Sequence, residues 1–174
     1  TEFWMVEPEW AYAHLEDLLQ LEEQFVSFIV QRVLERNAED LKTIERDIAP
    51  LERVLPPFPR IHYEDAVKWL NSQADESVHM IPGDDLGSPQ ETALANNFDK
   101  PVFVHHYPAA VKAFYMEVDA ARPDLSLSAD LLAPEGYGEI IGGGERTARL
   151  ELLEQRIKEH NLPGEAYTWY LDLR

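Results

Sequence analysis

The sequence predicts an α+β fold, with an antiparallel sheet flanked by helices. Three observations carry the prediction. Apolar residues recur at helical spacing over residues 13–36. Residues 124–131 alternate apolar and polar side chains in the manner of a strand with one core face. The later strand-like segments follow one another without the regular strand–helix alternation of a parallel sheet.

Taken in order, residues 2–9 read as a strand ending near Pro8, with Phe3, Met5, Glu7 and Glu9 on one face and Glu2, Trp4 and Val6 on the other. A long helix over 13–36 buries Leu15, Leu18, Leu19, Phe25, Val26, Ile29, Val30 and Val33. Leu21 and Phe28 widen that stripe, as in a helix buried on more than one side. A short helix follows over 38–48, then a proline-rich connector at Pro50, Pro56, Pro57 and Pro59. Residues 60–63 suit a short strand, 64–73 an amphipathic helix, 74–90 turns, and 89–98 a helix with Pro89 near its first turn. Strands are expected at 101–105, 111–118 and 124–131. In the last of these, Leu125, Leu127, Ala129 and Leu131 face the core, and Ser126, Ser128 and Asp130 face a polar side. Residues 137–142 pair with it across a loop at Pro134–Gly136, and helices close the chain at 147–160 and 164–173.

The 174 residues make a single domain the expectation, and a 45% hydrophobic content is enough for a core. There are 33 acidic against 15 basic residues, a net charge of −18, which repels phosphate backbones. A protein of this composition that acts on a nucleic acid must take most of its backbone grip from elsewhere. The absence of cysteine excludes a disulfide framework, a thiolate metal site and a cysteine nucleophile. No apolar run approaches a membrane span, and the opening TEFWMVEPEW lacks the basic and apolar regions of a signal peptide. The expectation is a soluble cytoplasmic protein. The chain also opens without Met inside a strand-like run, as a fragment would.

The stretch 125–146, LSLSADLLAPEGYGEIIGGGER, holds the most chemistry. Asp130 and Glu139 stand on adjacent expected strands, where two carboxylates can hold a hard cation such as Mg²⁺ through oxygen; solvated strand residues would look the same by spacing. Gly142, Gly143 and Gly144 let backbone approach a ligand or simply turn the chain, and they match neither GxxxxGK[ST] nor GxGxxG. Arg146 can fork onto a carboxylate or an amide oxygen. Glu7 and Glu9 form a further acidic pair able to accept from an ammonium or carboxamide NH₂. His105 and His106 are expected on opposite strand faces, which argues against a shared zinc, and Asp84–Asp85 reads as a turn.

Several segments resemble the asparaginyl-tRNA synthetases, a family of class II aminoacyl-tRNA synthetases: EFWMVEPEWAYAHLED (2–17), PFPRIHYEDAV (57–67), GDDLG (83–87), KPVFVHHYPAAVKAFYM (100–116), APEGYGEIIGGGER (133–146) and LELLEQRIKEHNLPGEAYTWYLDLR (150–174). The resemblance runs from end to end of the chain. EFWMVEPE and GEIIGG favour the asparagine enzyme over its aspartyl sister.

What the resemblance implies is a partial class II catalytic domain over residues 1–174, without an anticodon-binding domain. It implies a reaction in which ATP and asparagine form an aminoacyl-adenylate and the aminoacyl group passes to tRNA(Asn), usually on a homodimer. By position, Glu139 and Asp130 match the family's Mg²⁺ and ATP ligands, Arg146 the arginine that grips the substrate side chain, Glu7 an acidic residue that holds the amino acid, and Gly142 a substrate-contacting position. GGGERTA departs from the commoner GGSQRE. The family's motifs 1, 2 and 3 fall outside the chain, so the isolated 174 residues are expected to be inactive. An aspartyl-tRNA synthetase, a paralogue resembling asparagine synthetase A, and a non-catalytic binding domain are the alternatives.

Overall fold

The computed structural model describes residue 2 and residues 4–173. Helix α1, Leu15–Arg36, begins where the Asp17 carboxylate accepts the His14 backbone N–H at 2.8 Å. It carries Glu16 and Asp17 in its first turn and Arg36 in its last, the charge order that a helix dipole favours. Two short helices follow, α2 (Ala38–Thr43) and α3 (Ala49–Glu52). The helix expected over 38–48 stops early because Glu45 takes a left-handed backbone, φ 54°.

The sheet has four strands in the order β1-β2-β3-β4: β1 Arg60–His62, β2 Val102–His105, β3 Ser128–Ala133 and β4 Gly138–Gly144. β2 with β3 and β3 with β4 are antiparallel. β1 and β2 are parallel, joined by α4 (Tyr63–Asn71) and α5 (Ser88–Ala95). The sequence reading of an antiparallel sheet is therefore corrected at one pair, because a three-residue strand is too short to declare a crossover by its pattern.

Alternate side chains of the sheet enter two cores. Val102, Val104 and Leu132 pack with Ala66, Val67 and Leu70 of α4 and Leu94 and Ala95 of α5. Phe103, Ala129 and Leu131 pack on the other face with Leu15 and Leu19 of α1, Val54 and Phe58. A third cluster of Phe114, Leu153 and Ile157 anchors α6 (Leu150–Glu159), with α7 (Thr168–Leu171) beside it.

Four expectations are corrected. Residues 4–9 form no strand and expose Trp4, Met5 and Val6, since no described strand pairs with them; Phe3 lies outside the described residues. Residues 111–118 are turns and isolated bridges (Met116 to Arg146, Val118 to Ser126) rather than a strand. The triple glycine is the end of β4 and not a turn after it. The buried face of α1 is Leu15, Leu19, Glu22, Glu23 and Ser27, while Leu21, Phe25, Phe28, Ile29 and Val33 stay exposed among the described residues.

Candidate active site

The loop between β3 and β4 is tight: Glu135 and Gly136 have φ of 65° and 85°, which bends the chain back at once. The hairpin places Asp130 directly opposite Gly142, and Glu139 opposite Leu132 beyond an irregularity in the register. Pairing puts Asp130 and Gly142 on one face, the irregularity brings Glu139 onto it, and alternation beyond Gly142 puts Arg146 there too. A methyl group placed on Gly142 would lie 2.5 Å from Glu139 Oε1 and 3.5 Å from Asp130 Oδ1. Glycine there leaves open the space that the two carboxylates share.

Asp130 is not on a solvated polar face as the alternation suggested. It is 8% exposed, and Ser126 and Ser128 beside it are buried and hydrogen-bonded to each other at 2.7 Å. Its other oxygen, Oδ2, accepts from Lys112 Nζ at 2.7 Å. The same ammonium stands 3.2 Å from Asp85 and 3.8 Å above the Tyr107 ring. Burial raises the Asp130 pKa, and Lys112 partly offsets this. Glu139 is raised too, by burial first and then by the negative charge of Asp130. Burial lowers the Lys112 pKa, but Asp130 and Asp85 together outweigh it, so the pKa is raised on balance. Two carboxylates whose charged forms are both penalised make a site that gains from a cation.

Arg146 lies four residues beyond Gly142 and two past the end of β4, about 13 Å from Gly142 at the rise of an extended chain. Its guanidinium sits 4.4 Å from the Tyr115 ring centroid and donates to Glu9 Oε1 at 2.9 Å. Here the structure differs from expectation. Glu9, not Glu7, is the carboxylate beside Arg146; Glu7 is exposed and makes no hydrogen bond among the described residues.

The histidines also differ. His105 and His106 do not diverge: His106 has φ 59°, which turns its ring back to place the two Nδ1 atoms 2.6 Å apart, with the His62 ring stacked at 5.3 Å from His106. Burial, then the neighbouring His106 and His62, depress His105 to about 4. Among the described residues no three side chains are arranged to hold a metal ion. Concavity does not coincide with the carboxylate pair. A cleft of 1020 Å³ is lined by Glu117, Asp119, Glu145, Arg149 and Arg156, and another of 350 Å³ by His14, Glu16, Arg60, His105 and Glu145.

A family model of class II tRNA synthetases for D, K and N matches residues 1–174. The chain belongs to this family. It is 58% identical over 177 residues to the asparagine–tRNA ligase of Roseiflexus castenholzii, spanning 100% of this chain and 40% of that protein. The ligase of Chloroflexus aurantiacus is 57% identical with the same coverage. The crystal structure of asparaginyl-tRNA synthetase from Pyrococcus horikoshii complexed with asparaginyl-adenylate superposes with a TM-score of 0.88 at 43% identity, covering 94% of this chain and 37% of that one. The chain thus spans about 40% of the length of the curated relatives it matches.

For a class II synthetase chain, the donor set at Gly142 fits Mg²⁺. Asp130 Oδ1 and Glu139 Oε1 are hard oxygens that converge beside Gly142, and Mg²⁺ characteristically takes one or two carboxylates plus phosphate and water. Lys112 and Asp85 were not singled out from sequence. Lys112 was read as a strand residue and Asp85 as part of a turn; each is brought to Asp130 by a loop whose course no periodicity encodes.

Proposed function

We propose that the protein carrying this chain is an asparagine–tRNA ligase, and that these residues hold the amino acid and part of the ATP site. The observation that carries the reading is the convergence of Asp130 and Glu139 over Gly142 on the sheet face that also bears Arg146. The likeness to a synthetase solved with asparaginyl-adenylate supports it.

In this reading asparagine attacks the α-phosphate of ATP through its carboxylate, pyrophosphate leaves, and the adenylate passes its acyl group to tRNA(Asn). Asp130 and Glu139 would hold Mg²⁺, which when bound neutralises phosphate charge. Arg146 donates to the side-chain oxygen of asparagine, and a carboxylate beside it accepts from the amide NH₂. The contact of Glu9 with Arg146 supports Glu9 in that role; the resemblance gave Glu7 the holding of the amino acid. A carboxylate there disfavours aspartate, whose side chain would bring a second negative charge. Lys112 holds Asp130 Oδ2, which leaves Oδ1 facing Glu139. The work is positioning and electrostatics, with no protein base required. The family reading also supports a homodimer in the cytoplasm, and the −18 charge requires that tRNA be gripped mainly outside these residues.

ATP–pyrophosphate exchange by the full-length protein with asparagine or aspartate tests the proposal. Exchange is expected with asparagine at a kcat/KM about 10⁴-fold higher than with aspartate, the discrimination reachable when a buried polar group is mispaired. Preference for aspartate would make it the sister enzyme, and exchange with neither would remove it from the ligases.

A further inference from the structure

The residue before Arg146 is tied to a different element of the fold. Glu145 points to the face of the sheet opposite Arg146, where Oε2 accepts the backbone N–H of Leu15 at 3.0 Å and Oε1 pairs with His14 Nδ1 at 3.0 Å. Its own backbone is held as well: Glu145 N–H donates to Leu127 O, and Glu117 N–H donates to Glu145 O, both at 2.8 Å. The Leu15 N–H is one of the unpaired donors at the start of α1, and a carboxylate there is doubly favoured, by the hydrogen bond and by the helix dipole. The Glu145 side chain is 16% exposed, so water competes weakly for its contact with the Leu15 N–H.

The consequence lies on the other face. Neighbouring residues of an extended chain point in opposite directions, so fixing the Glu145 side chain fixes the direction from which Arg146 leaves the strand. The segment that Glu145 grips, His14–Leu15, is continuous with Glu9, the carboxylate that Arg146 contacts. Two links therefore join the chain before α1 to the end of β4: Glu9 to Arg146 on the site face, and His14 and Leu15 to Glu145 behind it.

We infer that Glu145 is a positioning residue for amino-acid recognition: by clamping the start of α1 to the end of β4 it holds Arg146 and Glu9 in register, and so sets the affinity for asparagine without touching it. This rests on the ligase reading above. Glutamine is the conservative replacement, because its amide oxygen still accepts from the Leu15 N–H while the charge toward His14 is lost.

The test uses the full-length protein and the exchange assay, with KM for asparagine and for ATP measured separately. Glu145→Ala is expected to raise KM for asparagine about tenfold or more, as a small misplacement of a binding group does, with KM for ATP nearly unchanged. Glu145→Gln is expected to restore asparagine KM to within about threefold of the parent. Glu145→Asp keeps the charge but withdraws it by one methylene, and is expected to behave like the alanine variant; it stands in should Glu145→Ala not fold, which a melting curve reveals. Arg146→Ala is the control for the site itself. If Arg146→Ala raises asparagine KM while Glu145→Ala or Glu145→Asp leaves it alone, or moves both KM values equally, the clamp is refuted and the ligase reading stands. If Arg146→Ala changes nothing, the site assignment falls first.

Discussion

Glu22 is a glutamate among apolar neighbours, 5% exposed, with Oε2 lacking any hydrogen-bond partner and Oε1 pressed near Gly143. Burial first, and then Asp130, push its pKa from 4.5 to about 8. The sign follows from linkage. The folded chain keeps this proton between pH 4.5 and about 8 while the unfolded chain has lost it, so stability falls as pH rises through that window and levels above it. Glu22→Gln removes the slope; its stability should gain on the parent at pH 8.5 relative to pH 4.5 by on the order of a few kcal/mol, read from the melting temperatures at the two pH values. A constant difference between the two proteins at both pH values would show that Glu22 ionises freely. At Gly142 an alanine meets no backbone obstacle but displaces the Glu139 carboxylate from Asp130. Mn²⁺ affinity, read by electron paramagnetic resonance, is expected to fall about tenfold in Gly142→Ala with little change in melting temperature. At this scale the sequence was informative where chemistry and pairing coincide. That Asp130 and Glu139 lie on facing strands was legible because a hairpin with a clear turn dictates what lies opposite what. Lys112, Asp85, Glu9 and the histidine cluster were not, because loops and a single left-handed residue bring them in.

At the scale of elements, α1 shows what periodicity omits. Its apolar residues surround the helix, so spacing said that it was buried broadly but not which side meets the sheet. The structure divides them: Leu19 packs against Phe103 and Leu131, while Phe28 is 65% exposed. Leu19→Ala is expected to cost about 2–5 kcal/mol in urea denaturation of this chain, whereas Phe28→Ser should stay within about 0.5 kcal/mol. Equal losses would mean that α1 lies differently on the sheet. The parallel pairing of β1 with β2 was likewise hidden, since a parallel strand of three residues carries too little pattern to announce its partner. The β3–β4 hairpin was read with its loop in place, although β4 extends through the triple glycine. Residues 4–9 have a strand's alternation without a ladder, because alternation records a side-chain pattern and a strand exists only when another backbone pairs with it.

For the molecule as a whole, family and architecture agree. Mixed α and β elements carry the carboxylates and the arginine on one sheet face, and two hydrophobic layers hold that face rigid from both sides. No helix among the described residues is long and apolar enough to cross a membrane. The proposed function requires that the Asp130–Glu139 end and the Arg146 end of this face engage one ligand. The direct test is the affinity of the full-length protein for a non-hydrolysable asparaginyl-adenylate analogue, measured calorimetrically for the parent, Glu139→Ala and Arg146→Ala with Mg²⁺ present. Each substitution is expected to weaken binding about tenfold or more, as loss of a charged hydrogen-bonding partner does. Unchanged affinity in both variants would contradict it.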